Sequence, residues 1–135
     1  MRLLDVWNGR PAWEALAELK KPPKLAYRLM KYLRKLNTEL AACEEGRQSC
    51  VHLVAGTTPP AIVLLSPDTP EFQVFLGKFN EFLLDESDLE PVGISMDDLI
   101  DALDAQTGNL LTERQLLLLE PFFTAKAPVL ELVKA

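Results

Sequence analysis

From Pro23 to about Glu45, residues Leu25, Ala26, Leu29, Met30, Leu33, Leu36, Leu40 and Ala41 recur mostly at spacings of three and four, the period of one helix face. Roughly 23 residues at 1.5 Å each make a helix on the order of 34 Å long. Any fold for this chain of 135 residues must therefore be laid along that element. Its other side carries Lys24, Arg28, Lys31, Arg34 and Lys35, with Tyr27 and Tyr32 on the flanks. Gly46 reads as its terminator.

A second stripe supplies the partner. Ser66-Pro67-Asp68-Thr69-Pro70 opens a helix with Thr69 as N-cap and Pro70 at the first position, where a missing N–H costs nothing. Phe72, Phe75, Phe79 and Phe82 follow at offsets 0, 3, 7 and 10, with Leu76 and Leu83 beside them. A phenylalanine stripe at helical spacing is core far more often than a ligand box. The two long elements are expected to pack antiparallel.

Between them the period changes. Cys50-Val51-His52-Leu53-Val54 and Ala61-Ile62-Val63-Leu64-Leu65 are rich in β-branched residues and flank Ala55-Gly56-Thr57-Thr58-Pro59-Pro60. They read as an antiparallel hairpin, exposing Val51, Leu53, Ile62 and Leu64 as a candidate interaction surface. Leu89 to Ile94, interrupted by Pro91, reads as a third, edge strand.

At the ends, residues 2–7 form a short apolar lead closed by Asn8-Gly9. A helix from Pro11 to about Lys20 should bury Trp13, Leu16 and Ala17, be favoured at its end by Lys20 and Lys21, and stop before Pro22-Pro23. Ser95 caps a short acidic helix ending by Thr107-Gly108-Asn109, and Thr112 with Gln115 forms a capping box before Leu116 to Leu119. Phe122-Phe123 read as a docked closing segment, and Lys126 to Ala135 as an end that frays or pairs with a neighbour.

The expectation is thus an α+β fold: a long antiparallel helical hairpin, a small antiparallel sheet of two or three strands, and short C-terminal helices. It is organised as one domain over 1–135, with a basic helical part (1–48), a β-hairpin (49–66) and an acidic, mainly helical part (67–135). Hydrophobic residues at 48% and charged residues at 25% exclude a disordered tail or a disulfide-dense scaffold. Aromatics are only 7%, so leucine must carry much of the core.

Charge narrows the partners. The net charge is −6, which opposes nucleic-acid binding by the whole surface. Residues 1–48 hold ten Lys/Arg and six Asp/Glu, whereas 49–135 hold four and fourteen. A basic first third is joined to an acidic remainder, and the two complement each other or the acidic part faces a basic partner. Asp97, Asp98, Asp101 and Asp104 crowd one short helix; a solvated face explains them without catalysis or magnesium, and they are the second candidate interaction set. The basic face of Lys24, Arg28, Lys31, Arg34 and Lys35 carries no recognition-helix motif, so nucleic acid is not the expected partner.

Catalytic chemistry finds little to use. His52 is the single imidazole, so every Ser-His or Cys-His scheme must pass through it. No nucleophile elbow, dinucleotide fingerprint or P-loop occurs among six glycines. Cys50 and His52 would share a strand face, a weak metal site at most. Cys43 and Cys50 define no disulfide framework and are expected as thiols in a reducing compartment. With no signal-peptide pattern and no run near the roughly 20 apolar residues of a bilayer span, the expected setting is cytosolic. The chain is read as a non-enzyme without cofactor or metal.

Several segments resemble a family of small phage and prophage proteins encoded near virion and tail genes. Gly-Arg-Pro-Ala-Trp-Glu-Ala-Leu at 9–16 and Pro-Pro-Lys-Leu-Ala-Tyr-Arg-Leu-Met-Lys-Tyr-Leu at 22–33 look like its short helix and its "Pro-x-Lys-Leu-Ala-Tyr-Arg" long helix. Lys78 to Leu84 resembles its "Phe-Asn-x-Glu-Leu" helix, and Leu89 to Ser95 its strand-like segment. Leu111-Thr112 with Leu117 to Phe122 resembles its closing helix. The Cys50–Leu65 stretch departs by replacing a polar connector with apolar residues. The resemblance implies a phage setting, in the host cytoplasm or on the virion, and supplies no catalytic residues. The function expected is structural or assembly work through protein–protein contacts, by a homo-oligomer meeting virion or host proteins. The alternative is a small acidic inhibitor of a basic site on a host nuclease or defence protein.

Overall fold

The computed structural model describes residues 1–58, 61–106 and 108–124. The chain is mostly helical: α1 (Leu3–Asn8), α2 (Arg10–Glu18), α3 (Pro23–Ala55), α4 (Pro70–Leu83), β1 (Val92–Ser95), α5 (Met96–Asp104), α6 (Glu113–Leu119), a 3-10 turn (Glu120–Phe122) and β2 (Phe123–Thr124). It divides into two compact units, Met1–Trp7 with Lys35–Leu89, and Asn8–Arg34 with Glu90–Ala135. Helix α3 supplies residues to both.

The first unit is built on α3 and α4. Cys43 and Val51 of α3 pack with Phe75, Phe79 and Leu83 of α4 and with Leu3 of α1, as the phenylalanine stripe requires. The expected helix start holds: the Thr69 side chain accepts from the Phe72 amide at 3.4 Å, and Pro70 leads α4. The apolar lead is itself the short helix α1, with Leu3 and Val6 buried. It is tied to the chain after α4 by Leu3 N–H to the Asp85 carbonyl at 2.9 Å and Ser87 N–H to the Met1 carbonyl at 2.8 Å.

Here the structure corrects two expectations. Gly46 does not end the long helix, and residues 50–54 are not a strand; α3 runs on to Ala55. The physical reason is a close approach. A Cβ at residue 46 would overlap the Phe82 ring at Cζ, so the glycine there admits an aromatic ring rather than a turn. The terminator is the next glycine. Gly56 sits at φ +70°, the left-handed conformation that closes helices, and Thr57 N–H bonds back to the His52 carbonyl at 3.0 Å. The β-branched run 50–54 is helical because tertiary packing overrides local propensity: Val51 is buried in the core, and its neighbour Cys50 and Val54, about one turn on, are partly buried against that core.

The antiparallel hairpin is therefore absent, and its second half, residues 61–65, forms no strand. Among the described residues the sheet is two-stranded and parallel, pairing β1 with β2 through Val92 with Phe123 and Ser95 with Thr124. The expected edge strand near Leu89 to Ile94 survives as β1, beginning just after Pro91. Its partner is the Phe122-Phe123 segment.

The second unit is centred on Trp13. Its ring stacks on Tyr32 at 5.6 Å and on Phe123 at 5.8 Å between centroids, and meets Phe122 edge-on at 5.5 Å. Leu16, Leu99, Leu103 and Leu119 complete the interior, while Ala17, expected inside, is exposed. Tyr32, expected on a flank, is buried and donates to the Glu90 carbonyl at 2.6 Å. The caps are those the sequence predicts. The Ser95 hydroxyl accepts from the Asp98 amide at 3.1 Å, and Thr112 and Gln115 form a reciprocal box. Lys21 donates to the carbonyls of Leu16, Ala17 and Leu19, closing α2. Asn109 accepts from the Lys20 amide and donates to the Lys20 and Leu103 carbonyls, joining the ends of α2 and α5. The expected helix end includes Thr107, and the closing segment 126–135 likewise lies outside the described residues.

Candidate interaction surfaces

The expected apolar set is split by the helix that replaces the hairpin. Val51 is withdrawn into the core, a correction, because the inner face of α3 claims it. Leu53, two residues on, turns outward and is 66% exposed. Ile62 and Leu64 are 93% and 92% exposed, the highest values among the large apolar side chains described. The residues between and after them, Val63 and Leu65, are partly buried against the core of the first unit. Alternating exposure of this kind is the side-chain period of extended chain. Among the described residues, no backbone hydrogen bond uses an N–H or C=O of Ile62, Val63, Leu64 or Leu65.

Charge sets this stretch apart. Residues 48–67 contain no Asp, Glu, Lys or Arg, a run of 20. The remainder of the first unit carries four Lys/Arg against ten Asp/Glu.

The acidic set lies together on α5. Asp97, Asp98, Asp101 and Asp104 are all exposed, and Leu99 and Leu103 occupy the opposite, buried side. Asp97, Asp101 and Asp104 share one helix face by their spacing. Asp97 and Asp98 also stand in the first turn, where the helix dipole favours negative charge.

The basic face is exposed at all five positions, Lys24, Arg28, Lys31, Arg34 and Lys35. Arg28 and Lys31 are among those already engaged. Arg28 donates to the Gly93 carbonyl at 2.8 Å, and the Lys31 ammonium lies 4.9 Å from the Tyr27 ring centroid. Residues 8–34 bring seven Lys/Arg and two Asp/Glu into the second unit, and residues 90–135 bring three and eight. The second unit is therefore formally neutral, and the basic stretch balances acids within its own unit.

Sequence reasoning missed one feature. Met96, Ile100, Leu116, Leu117 and Phe123, with Glu113 and Glu120 beside them, line an open groove of about 650 Å³ in the second unit. The four consecutive leucines at 116–119 were the signal. A helix this short buries only Leu119 fully and leaves Leu117 outside.

Catalytic geometry is sparse. His52 is buried on α3 and its Nδ1 lies 2.8 Å from Oγ1 of Thr57, a partner within its own helix terminus. Cys43 and Cys50 are free thiols. Seven residues along one helix separate their Cα atoms by about 10 Å, beyond disulfide reach. Burial pushes the Cys50 thiol pKa up, partly opposed by the Lys78 charge. Among the described residues, no three His, Cys, Asp or Glu converge in a way that would hold a metal ion, and no helix is long and apolar enough to cross a membrane. Trp13 Nε1 is buried with no hydrogen-bond partner among the described residues. Set beside protein-family models, curated proteins and solved structures, the chain matches none.

Proposed function

We propose that this chain is a non-enzymatic structural or assembly protein of phage origin, acting through protein–protein contacts and associating with itself. One observation carries the reading: Ile62 and Leu64 stand almost fully in water on a segment, 62–65, whose backbone groups pair with none among the described residues. Unpaired, apolar, extended chain is a template for another chain, and its retention on a surface calls for a partner. The phage setting rests on the resemblance of residues 9–16, 22–33, 78–84, 89–95 and 111–122 to small phage and prophage proteins. That setting places the protein in a bacterial cytoplasm or on a virion, with other virion or host proteins as further partners.

Light scattering after size exclusion tests the reading. An apolar contact is little affected by salt, which screens exposed charges within about 10 Å at 0.1 M. The expected result is a defined multiple of the 15.1 kDa chain mass at both low and high salt. A 15.1 kDa species at every concentration contradicts it.

A second reading, a small inhibitor that covers a basic groove on a host nuclease or defence protein, is favoured by the exposed carboxylates of Asp97, Asp101 and Asp104 on one face. It requires capture of a basic target that fails at high salt and fails when Asp97, Asp98, Asp101 and Asp104 become Asn.

A further inference from the structure

We infer that the occupant of the apolar segment is the same segment of a second copy, paired antiparallel about a two-fold axis at Val63. This inference rests on the self-association reading and specifies its surface. Three observations select a second copy. The segment Ala61-Ile62-Val63-Leu64-Leu65 is apolar throughout, so a copy run in the opposite direction meets like with like. In the register 61 with 65, 62 with 64 and 63 with 63, Ile62 of one copy lies beside Leu64 of the other on the exposed face. The same pairing uses the free N–H and C=O groups of alternate residues along one edge of the segment, which a side-chain contact alone would leave in place.

Charge provides the second argument. Two copies of an acidic unit repel, and the segment lies inside the 20-residue run without a charged side chain. Two copies meeting there bring no like-charged side chains of the segment into opposition. The third is mechanical support. A lone two-stranded ribbon is marginal in water, but here each strand is backed by its own core through Val63 and Leu65. Pro59, Pro60 and Pro67 flank the segment in sequence; lacking amide hydrogens, they confine pairing to a few residues and fix its register.

The experiment uses the full chain in two forms. First, Ile62→Asp with Leu64→Asp places four carboxylates at the two-fold contact. Both side chains are exposed, so folding is retained and is checked by circular dichroism. The wild type is expected at twice the 15.1 kDa chain mass and the double variant at the chain mass. Second, chains carrying Ile62→Cys and Leu64→Cys, each with Cys50→Ser, are mixed under mild oxidation. Directly opposed antiparallel residues are within disulfide reach, so the 62–64 heterodimer is expected to form at least several-fold faster than 62–62 or 64–64. An oligomer that survives Ile62→Asp with Leu64→Asp overturns this surface and leaves self-association standing. Equal rates for all three cross-links overturn the antiparallel register. A wild type that stays at the chain mass overturns both.

Discussion

The two units differ in what their sequences leave unsatisfied. The second is neutral in formal charge and ties its own helix ends and aromatic rings together. Trp13 is enclosed by three rings, Asn109 joins two helix ends, and Lys21 takes up three helix-end carbonyls. The first unit has an equally regular core, with Phe75, Phe79 and Leu83 packed on α3, but carries a net charge of −6 and a stretch, 62–65, with no backbone hydrogen bond among the described residues. A well-packed core does not imply a finished surface. The interaction site proposed for this chain lies where backbone and apolar side chains are both left over.

That contrast can be broken most severely at the two aromatic centres. Trp13→Ala and Phe79→Ala should each cost about 3–5 kcal/mol, the range for removing a buried large aromatic, as read by urea denaturation. If Trp13→Ala costs under about 1 kcal/mol, the enclosed ring cluster is not what holds the second unit.

A smaller effect sharpens the account of the first unit. Gly46→Ala gains about 1 kcal/mol of helix propensity but drives a methyl into the Phe82 ring, and overpacking costs about 1–3 kcal/mol. The net expectation is a loss. In a Phe82→Ala background the same change should become stabilising, because only the propensity gain remains. A stabilising Gly46→Ala in the wild type would show that the ring moves aside freely.

Helix caps allow a matched comparison at lower energy. Thr69→Ala in the first unit and Thr112→Ala in the second should each cost about 1 kcal/mol. Thr112 sits in a reciprocal box and Thr69 does not, so the Thr112 loss should be the larger on thermal melting.

The smallest effect at ordinary pH belongs to Tyr32. Burial raises its pKa above the usual value of 10, so the folded state disfavours tyrosinate. Its contribution is complete below the unfolded value and declines as pH rises past it. Alkaline titration of stability should show this loss, and Tyr32→Phe should remove it.

Much of this was legible from residue pattern. Thr69, Ser95 and Thr112 cap helices as their neighbours dictate, and the phenylalanine stripe faces the core, because spacing and capping are local chemistry. Gly46 and the run 50–54 misled for a non-local reason. Nothing near Gly46 in the chain announces that Phe82 will rest on it, and with the helix continuing, β-branched residues follow the core rather than their propensity. The hairpin failed with it, yet Leu53, Ile62 and Leu64 remained exposed. The parallel pairing of β1 with β2 joins residues about thirty apart and leaves no periodic trace in strands of four and two residues. The groove beside Leu116 and Leu117 was hidden for a related reason: four leucines in a row do not say which of them a short helix buries.

Amide hydrogen exchange at Ile62, Val63, Leu64 and Leu65 tests the central claim most directly. Among the described residues these amides have no backbone acceptor, so in dilute protein they should exchange as fast as an open loop. The account predicts protection at alternate positions that grows with protein concentration and disappears in Ile62→Asp with Leu64→Asp. Fast exchange at all four residues at every concentration would contradict it.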